Sequence, residues 1–238
     1  MPLKLLRKYG FESVGVGKDD ARDLGQTLDH VYRWGARALV IDSYEVREEC
    51  LSRVRASLVA VIDDLADRSL PVDLVINGAA NACELAYRTS PGTRLLLGPE
   101  YVLLRKEFAQ APTRSISANV KRVLITVGGM DPHVLTPRLI AWTQEALEGV
   151  AIDVVVGPFF GEDSVAQAEK MAAGNPAVAV HRDPAAIRNL MLACDLALTG
   201  GGQTTYELAA TGTPAVAIRI ADNQTGNLKG LSTCGALR

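Results

Sequence analysis

The chain has 238 residues, 48% of them hydrophobic and 22% charged, with a formal net charge of −2. That is enough for a sizeable core in one large or two small domains, and too apolar for a disordered segment. The 25 basic and 27 acidic residues are mixed along the sequence, so there is no concentrated basic face for nucleic-acid phosphates and no nucleic-acid partner is expected.

Cys50, Cys83, Cys194 and Cys234 are widely spaced and form no C-x-x-C pair. They indicate neither a zinc site nor a disulfide framework, and a reducing cytoplasm is the expected compartment. No apolar run approaches the roughly 20 residues of a membrane-spanning helix. The opening Met1–Lys8 is too short in its apolar part for a signal peptide and reads as the last turns of an amphipathic helix.

Short apolar, β-branched runs alternate with helical patterns. In the first half, strands are predicted at Ser13–Val16, Ala38–Asp42, Leu58–Asp63 and Val72–Asn77, with a short apolar run at Arg94–Leu97. Helices are predicted at Asp20–Trp34, Glu45–Ala56 and Ala79–Arg88. The second half predicts strands at Lys121–Val127, Ile152–Val156, Ala177–His181, Leu196–Thr199 and Pro214–Ile220. Its helices fall at Val134–Glu148, Ser164–Ala173, Pro184–Cys194 and Thr204–Thr211, the last stopped by Gly212 and Pro214. Nearly continuous apolar strands separated by helices imply an α/β chain with parallel sheets covered on both faces. Ala109–Asn119, with Pro112 and several hydroxyl residues, has no periodicity and reads as a linker. Two Rossmann-like domains are therefore expected, 1–112 and 119–238, with ligand in a cleft at their strand C-termini. One continuous sheet is the alternative.

The sharpest local signal is Leu196–Glu207, where a buried strand runs into Gly200, Gly201 and Gly202 and a helix starts on Thr204 and Thr205. Glycines permit close approach of a ligand, and free N–H groups at a helix start attract an anion such as a diphosphate. A plain strand-to-helix turn usually needs one glycine; three in succession favour a ligand. Glu207, in the first turn, is favoured there by the helix dipole alone, but facing a cleft it would accept ribose hydroxyls. Val123–Pro132 repeats the pattern with Gly128, Gly129 and Asp131. Asn223 and Gln224 follow another strand end, where amides would both donate to and accept from sugar hydroxyls.

In the first half, Asp42, Tyr44, Asp63 and Asp64 end strands, where carboxylates either orient water or substrate or cap the next helix. His30 lies in a helix, His133 follows a glycine loop and His181 ends a strand. No G-x-S-x-G, H-E-x-x-H or Walker pattern occurs, which disfavours a serine hydrolase, a zincin and a P-loop ATPase.

Taken together, Gly98–Phe108, Val127–Asp131, Asp195–Glu207, Gly212–Pro214 and Asn223–Gln224 resemble, in the same order, the UDP-sugar hydrolases of pseudaminic acid biosynthesis and the spore-coat polysaccharide proteins of the SpsG type. Ile41–Tyr44 and Ile62–Ala66 are similar to that family's N-terminal motifs. The resemblance implies a GT-B architecture like that of MurG and a UDP-activated amino sugar as ligand, with water releasing UDP. Carried over, Gly128, Gly129, Asp131, Gly200, Gly201, Gly202, Thr204, Thr205 and Glu207 would hold the nucleotide, with Glu207 on the ribose. Asn223 and Gln224 would face the sugar, and Tyr44 and Asp42 are the catalytic candidates. No metal or cofactor is expected, since no Asp-x-Asp pair occurs, and the sequence does not set the oligomeric state. One departure stands out. The family opens with a G-x-G-H-x-x-R loop bearing its catalytic histidine, whereas here Gly15-Val-Gly17 is followed by Lys18. The N-terminal domain is accordingly expected to be incomplete, with nucleotide affinity partly kept and turnover weak or absent, and the sequence looks trimmed at both ends.

Overall fold

The computed structural model describes residues 6–7, 9–15, 20–54, 56–110 and 114–237, with side chains of the first long helix placed from residue 25 onward. The predicted opening helix, Gly17-Lys18 and Pro112 therefore lie largely or wholly outside the described residues. The chain forms two compact units. One comprises Met1–Asn77 and Leu85–Leu97; the other comprises Gly78–Glu84 and Gly98–Arg238. This division differs from the 1–112 and 119–238 expected above: the Gly98–Phe108 segment packs with the distal unit, not the first.

The first unit is built on a four-stranded parallel sheet of order β1-β2-β4-β6, from β1 (Ala38–Asp42), β2 (Leu58–Ile62), β4 (Leu74–Asn77) and β6 (Arg94–Leu97). Two-residue strands β3 (Ser69–Leu70) and β5 (Arg88–Thr89) pair separately. One face of the sheet carries Val59, Val61 and Val75, which pack with Leu51, Val54 and Leu70 and with partly buried Leu28 of helix α1 (Asp20–Arg33). Alternation puts Val40 on the opposite face, where it is 61% exposed on an edge strand.

Three expectations in the first half of the chain are corrected. Residues 13–15 of the predicted first strand are not β-structure. The helix predicted over Glu45–Ala56 shrinks to the single turn α2 (Glu48–Leu51). The helix predicted over Ala79–Arg88 is a 3₁₀ turn at Ala82–Glu84 followed by β5. In the last case the segment is held by a long-range contact, Ala80 N–H donating to Tyr206 Oη at 2.7 Å, which its own sequence does not reveal.

The distal unit carries a five-stranded, wholly parallel sheet of order β11-β10-β7-β8-β9. Its strands are β7 (Arg122–Thr126), β8 (Ala151–Val156), β9 (Val178–Arg182), β10 (Leu196–Gly200) and β11 (Ala215–Ile218). Helices α3 (Leu135–Ala146), α4 (Glu162–Gly174), α5 (Ile187–Ala193), α6 (Thr204–Ala210) and α7 (Gln224–Thr233) connect and flank them. The near-continuous apolar strands are explained by burial on both faces: Val123 and Ile125 point into one core with Leu139, Ile140 and Ile152, and Leu124 into the other with Val155, Met191 and Leu208. Separate sheets in the two units exclude the single continuous sheet.

The strand order positions the site. From β7 the chain winds outward through β8 and β9, then returns to place β10 on the other side of β7. In parallel sheets such a reversal opens a crevice at the strand C-termini, and it is there that Gly128 follows β7 and Gly201 follows β10.

Asp131 begins α3. Its Oδ1 accepts the Leu135 N–H at 2.7 Å, and its Oδ2 accepts the Thr136 N–H at 2.9 Å and the Ser164 hydroxyl at 2.7 Å. Burial by itself would raise its pKa, but the donors at Thr136, Leu135 and Ser164 outweigh it and hold the carboxyl below its ordinary range. A depressed folded pKa contributes stability that is present above the unfolded pKa and lost as pH falls through the folded one. Asp131→Ala is therefore expected to lower stability by about 2 kcal/mol at neutral pH. In urea unfolding, the gap to the parent should narrow below about pH 4.

Candidate functional site

The crevice at the reversal contains a cleft of about 230 Å³. Gly128, Gly129, Gly157 and Thr204 bring backbone to its walls; Arg105, Asp183 and Glu207 bring charge. Gly128 has φ +110, a left-handed conformation suited to glycine, which turns the chain sharply after β7. Gly157 is glycine for a different reason: a Cβ there would lie 2.5 Å from the Gly128 carbonyl oxygen and 2.6 Å from that of Gly129. The two turns are thus in backbone contact.

Glu207, in the first turn of α6, is 7% exposed. Its Oε1 accepts from Arg105 Nε and Nη2, both at 2.9 Å. Burial pushes the Glu207 carboxyl up, and Arg105 opposes that shift. Arg105 is half exposed, pairs with Glu107 at 3.1 Å and lies 5.2 Å from the Phe108 ring centroid. Gln203, one helical turn before Glu207, donates through Nε2 to the Leu103 carbonyl at 2.7 Å. Gln203 and Glu207 together grip the Leu103–Arg105 stretch of the Gly98–Phe108 segment.

Of the nucleotide candidates, Gly128, Gly129, Thr204 and Glu207 line this cleft. Asp131 is consumed in capping α3. Thr205 is fully buried with its hydroxyl donating to the Gly202 carbonyl at 2.7 Å, and the N-cap of α6 is Gln203, with no side-chain cap bond. Packing accounts for two of the three consecutive glycines. A Cβ on Gly200 would lie 2.8 Å from the Val127 carbonyl oxygen, and one on Gly201 2.8 Å from the Leu228 side chain. Gly202 is free of such contacts, its nearest neighbour being Gln224 Nε2 at 3.8 Å.

Gln224 uses Oε1 to accept from the N–H groups of Ile220 at 2.9 Å and Gly201 at 3.3 Å, tying the β11 end to the glycine turn. Asn223 is exposed at the start of α7. His133 Nε2 lies 3.3 Å from the Ile220 carbonyl, His181 Nε2 is 2.7 Å from Asp153 Oδ1, and His30 stacks near Trp34. Asp42 and Tyr44, both exposed, sit at the C-terminal end of β1 in the first unit. Asp63 of that unit is structural: its Oδ1 accepts the N–H groups of Leu65 and Ala66, and its Oδ2 pairs with Arg68 at 3.2 Å. Sequence reasoning assigned no role to Arg105, Asp183 or Gly157, whose parts in the cleft depend on long-range contacts.

No family model matches the chain. Among curated proteins, it is 26% identical over 210 residues to the pseudaminic acid cytidylyltransferase and UDP-2,4-diacetamido-2,4,6-trideoxy-beta-L-altropyranose hydrolase of Helicobacter pylori, covering 84% of the chain and 37% of that protein. It is 23% identical over 167 residues to the spore coat polysaccharide biosynthesis protein SpsG of Bacillus subtilis, covering 69% and 49%. Among solved structures, Acinetobacter baumannii MurG matches all of the chain and 73% of its own length, at TM-score 0.59 and 17% identity. The chain is thus similar to SpsG-type proteins and shares the GT-B fold of MurG. A Staphylococcus aureus MnaA structure with UDP matches at TM-score 0.60 and 9% identity, over 98% of the chain and 71% of that structure. The chain spans about half or less of the length of the curated SpsG-like relatives it matches.

The contact between Gly157 and the Gly128 turn makes a direct test. Gly157→Ala is expected to cost about 2 kcal/mol by overpacking backbone against backbone. Gly202→Ala, with open space around it, should stay within about 0.5 kcal/mol of the parent. Thermal and chemical unfolding of the two variants checks this.

Proposed function

We propose that this chain binds a UDP-activated sugar through its distal unit and releases UDP from it by attack of water, as a nucleotide-sugar hydrolase of cell-surface polysaccharide biosynthesis, of the pseudaminic acid type and in the cytoplasm. The observation that carries the reading is the convergence of Gly128, Gly129, Thr204, Arg105 and Glu207 on one cleft at the sheet reversal. Backbone at two turns, a guanidinium and a buried carboxylate suit a nucleoside diphosphate: amides and cation for the phosphates, carboxylate for the ribose hydroxyls. Arg105 occupies only Oε1 of Glu207, which leaves Oε2 to accept from a ribose. Charge developing on the departing diphosphate would be met by donors and a cation already in place, which is how such leaving groups are stabilised. Gly200, Gly201 and Gly202 frame the turn, and Asn223 and Gln224 are assigned to the sugar. Asp42 and Tyr44 are proposed as the first unit's contribution to the chemistry. The likeness to MurG supports a second reading, a GT-B glycosyltransferase in which an acceptor hydroxyl replaces water.

Release of UDP from a UDP-sugar without acceptor identifies hydrolysis, release that waits for an acceptor identifies transfer, and binding without release identifies a sugar-binding protein. Binding itself is tested at Glu207. A ligand that binds only the folded state raises its melting temperature, so UDP is expected to do so. Glu207→Gln should weaken UDP affinity about ten-fold, the loss of one charge-assisted hydrogen bond. Because the folded pKa of Glu207 is raised, its contribution to stability is full below the unfolded pKa and is lost as pH rises through the folded one. The ligand-free Gln variant should therefore melt no lower than the parent at about pH 8. Thermal-shift titration reads both quantities; unchanged UDP affinity would remove Glu207 from the ribose.

A further inference from the structure

The segment Gly78–Glu84 leaves β4 and returns to β5, both in the first unit, yet it packs as part of the distal unit. It is held there by a specific device. Gly226 and Gly230, one helical turn apart on α7, lack side chains where the segment crosses: a Cβ on Gly230 would lie 2.8 Å from Ala80 Cβ and 3.1 Å from the Asn81 nitrogen, and Gly226 faces the Asn81 side chain. The Ala80 N–H donates to Tyr206 Oη at 2.7 Å and approaches Asn227 Oδ1 at 3.4 Å. Tyr206 donates its hydroxyl proton to the same Asn227 oxygen, and Asn227 donates through Nδ2 to the Gly201 carbonyl at 3.0 Å. Tyr206 and Asn227 are both buried, and burial pushes the Tyr206 hydroxyl up to about 12, so it stays a donor at physiological pH.

These bonds form one chain from the strap's backbone to the glycine turn whose far side, at Thr204, enters the cleft. We infer that Tyr206 and Asn227 are positioning residues that couple the strap Gly78–Glu84 to the glycine turn, so that an anion bound at the turn is felt at the strap. The second half of this statement rests on the proposed binding of a nucleoside diphosphate; the coupling itself does not.

Hydrogen exchange resolved by peptide, on the full chain, tests both. In the ligand-free protein, Tyr206→Phe removes both hydrogen bonds of the hydroxyl while keeping the ring. Exchange is expected to quicken about 30-fold, the loss of two ordinary hydrogen bonds, at the strap and at Gly200–Gln203 together. Asn227→Ala should have the same paired effect. Quickening at the strap alone would overturn the coupling and leave Tyr206 a local anchor. With UDP added, the parent should slow exchange at both segments, and Tyr206→Phe should lose the slowing at the strap while still binding UDP. Binding of UDP with no change at the strap overturns the relay. Absence of any UDP binding instead overturns the proposed function, and the ligand-free comparison still decides the coupling.

Discussion

A buried carboxylate is expensive unless something meets its charge. In the distal unit the charge belongs to Glu207 and is met by Arg105, 102 positions earlier, through two N–H groups on one oxygen. Much of the local architecture follows from that pair. It fixes where the Gly98–Phe108 segment lies, because Arg105 must reach α6. It orients the first turn of α6, whose Gln203 takes hold of the same segment from the other side. It also places a carboxylate and a guanidinium side by side in the lining of the cleft, an acceptor and a donor suited to a ligand with both hydroxyl and phosphate groups.

The pair is in a useful place because of topology. A parallel sheet winding in one direction offers a row of equivalent loops; a reversal separates two of them and leaves a gap. Here the gap falls between β7 and β10, and the glycine turns that follow those strands border it. Their glycines serve different ends. Gly128 turns the chain through positive φ, Gly157 and Gly200 let backbone lie against backbone, and Gly201 accommodates Leu228. Close packing also spends some of the turn's donors, since the Gly201 N–H is taken by Gln224 Oε1.

How much of this was legible in the sequence depended on the range of the forces involved. The strands of the distal unit could be read because burial on both faces writes itself as a local apolar run, as in Val123-Leu-Ile-Thr-Val127. The helices over Glu45–Ala56 and Ala79–Arg88 were misread because their alanines and charges satisfy local propensity, whereas Gly78–Glu84 is held by long-range contacts with Tyr206 and α7. Asp131 looked like a ligand residue because it follows two glycines; the Asp-Pro step that follows is equally a helix-start signal, and the carboxylate is spent on the α3 amides. Arg105 lies in the Gly98–Phe108 motif, but nothing in that motif marks it as the partner of Glu207. Its role exists only once Glu207 has been folded against it. The resemblance to SpsG-type proteins supplied the fold and the order of the motifs, but not which glycines face a cleft and which face a neighbouring chain.

Central to the account is that the cleft beside Glu207 receives a diphosphate on backbone amides. A crystal structure of the chain with UDP tests this most directly. The account predicts phosphate oxygens about 3 Å from amide nitrogens at the Gly128 turn and the start of α6, Arg105 turned toward them, and ribose hydroxyls on Glu207. A nucleotide bound elsewhere on the distal unit, with the cleft empty and the Arg105–Glu207 pair undisturbed, would contradict it.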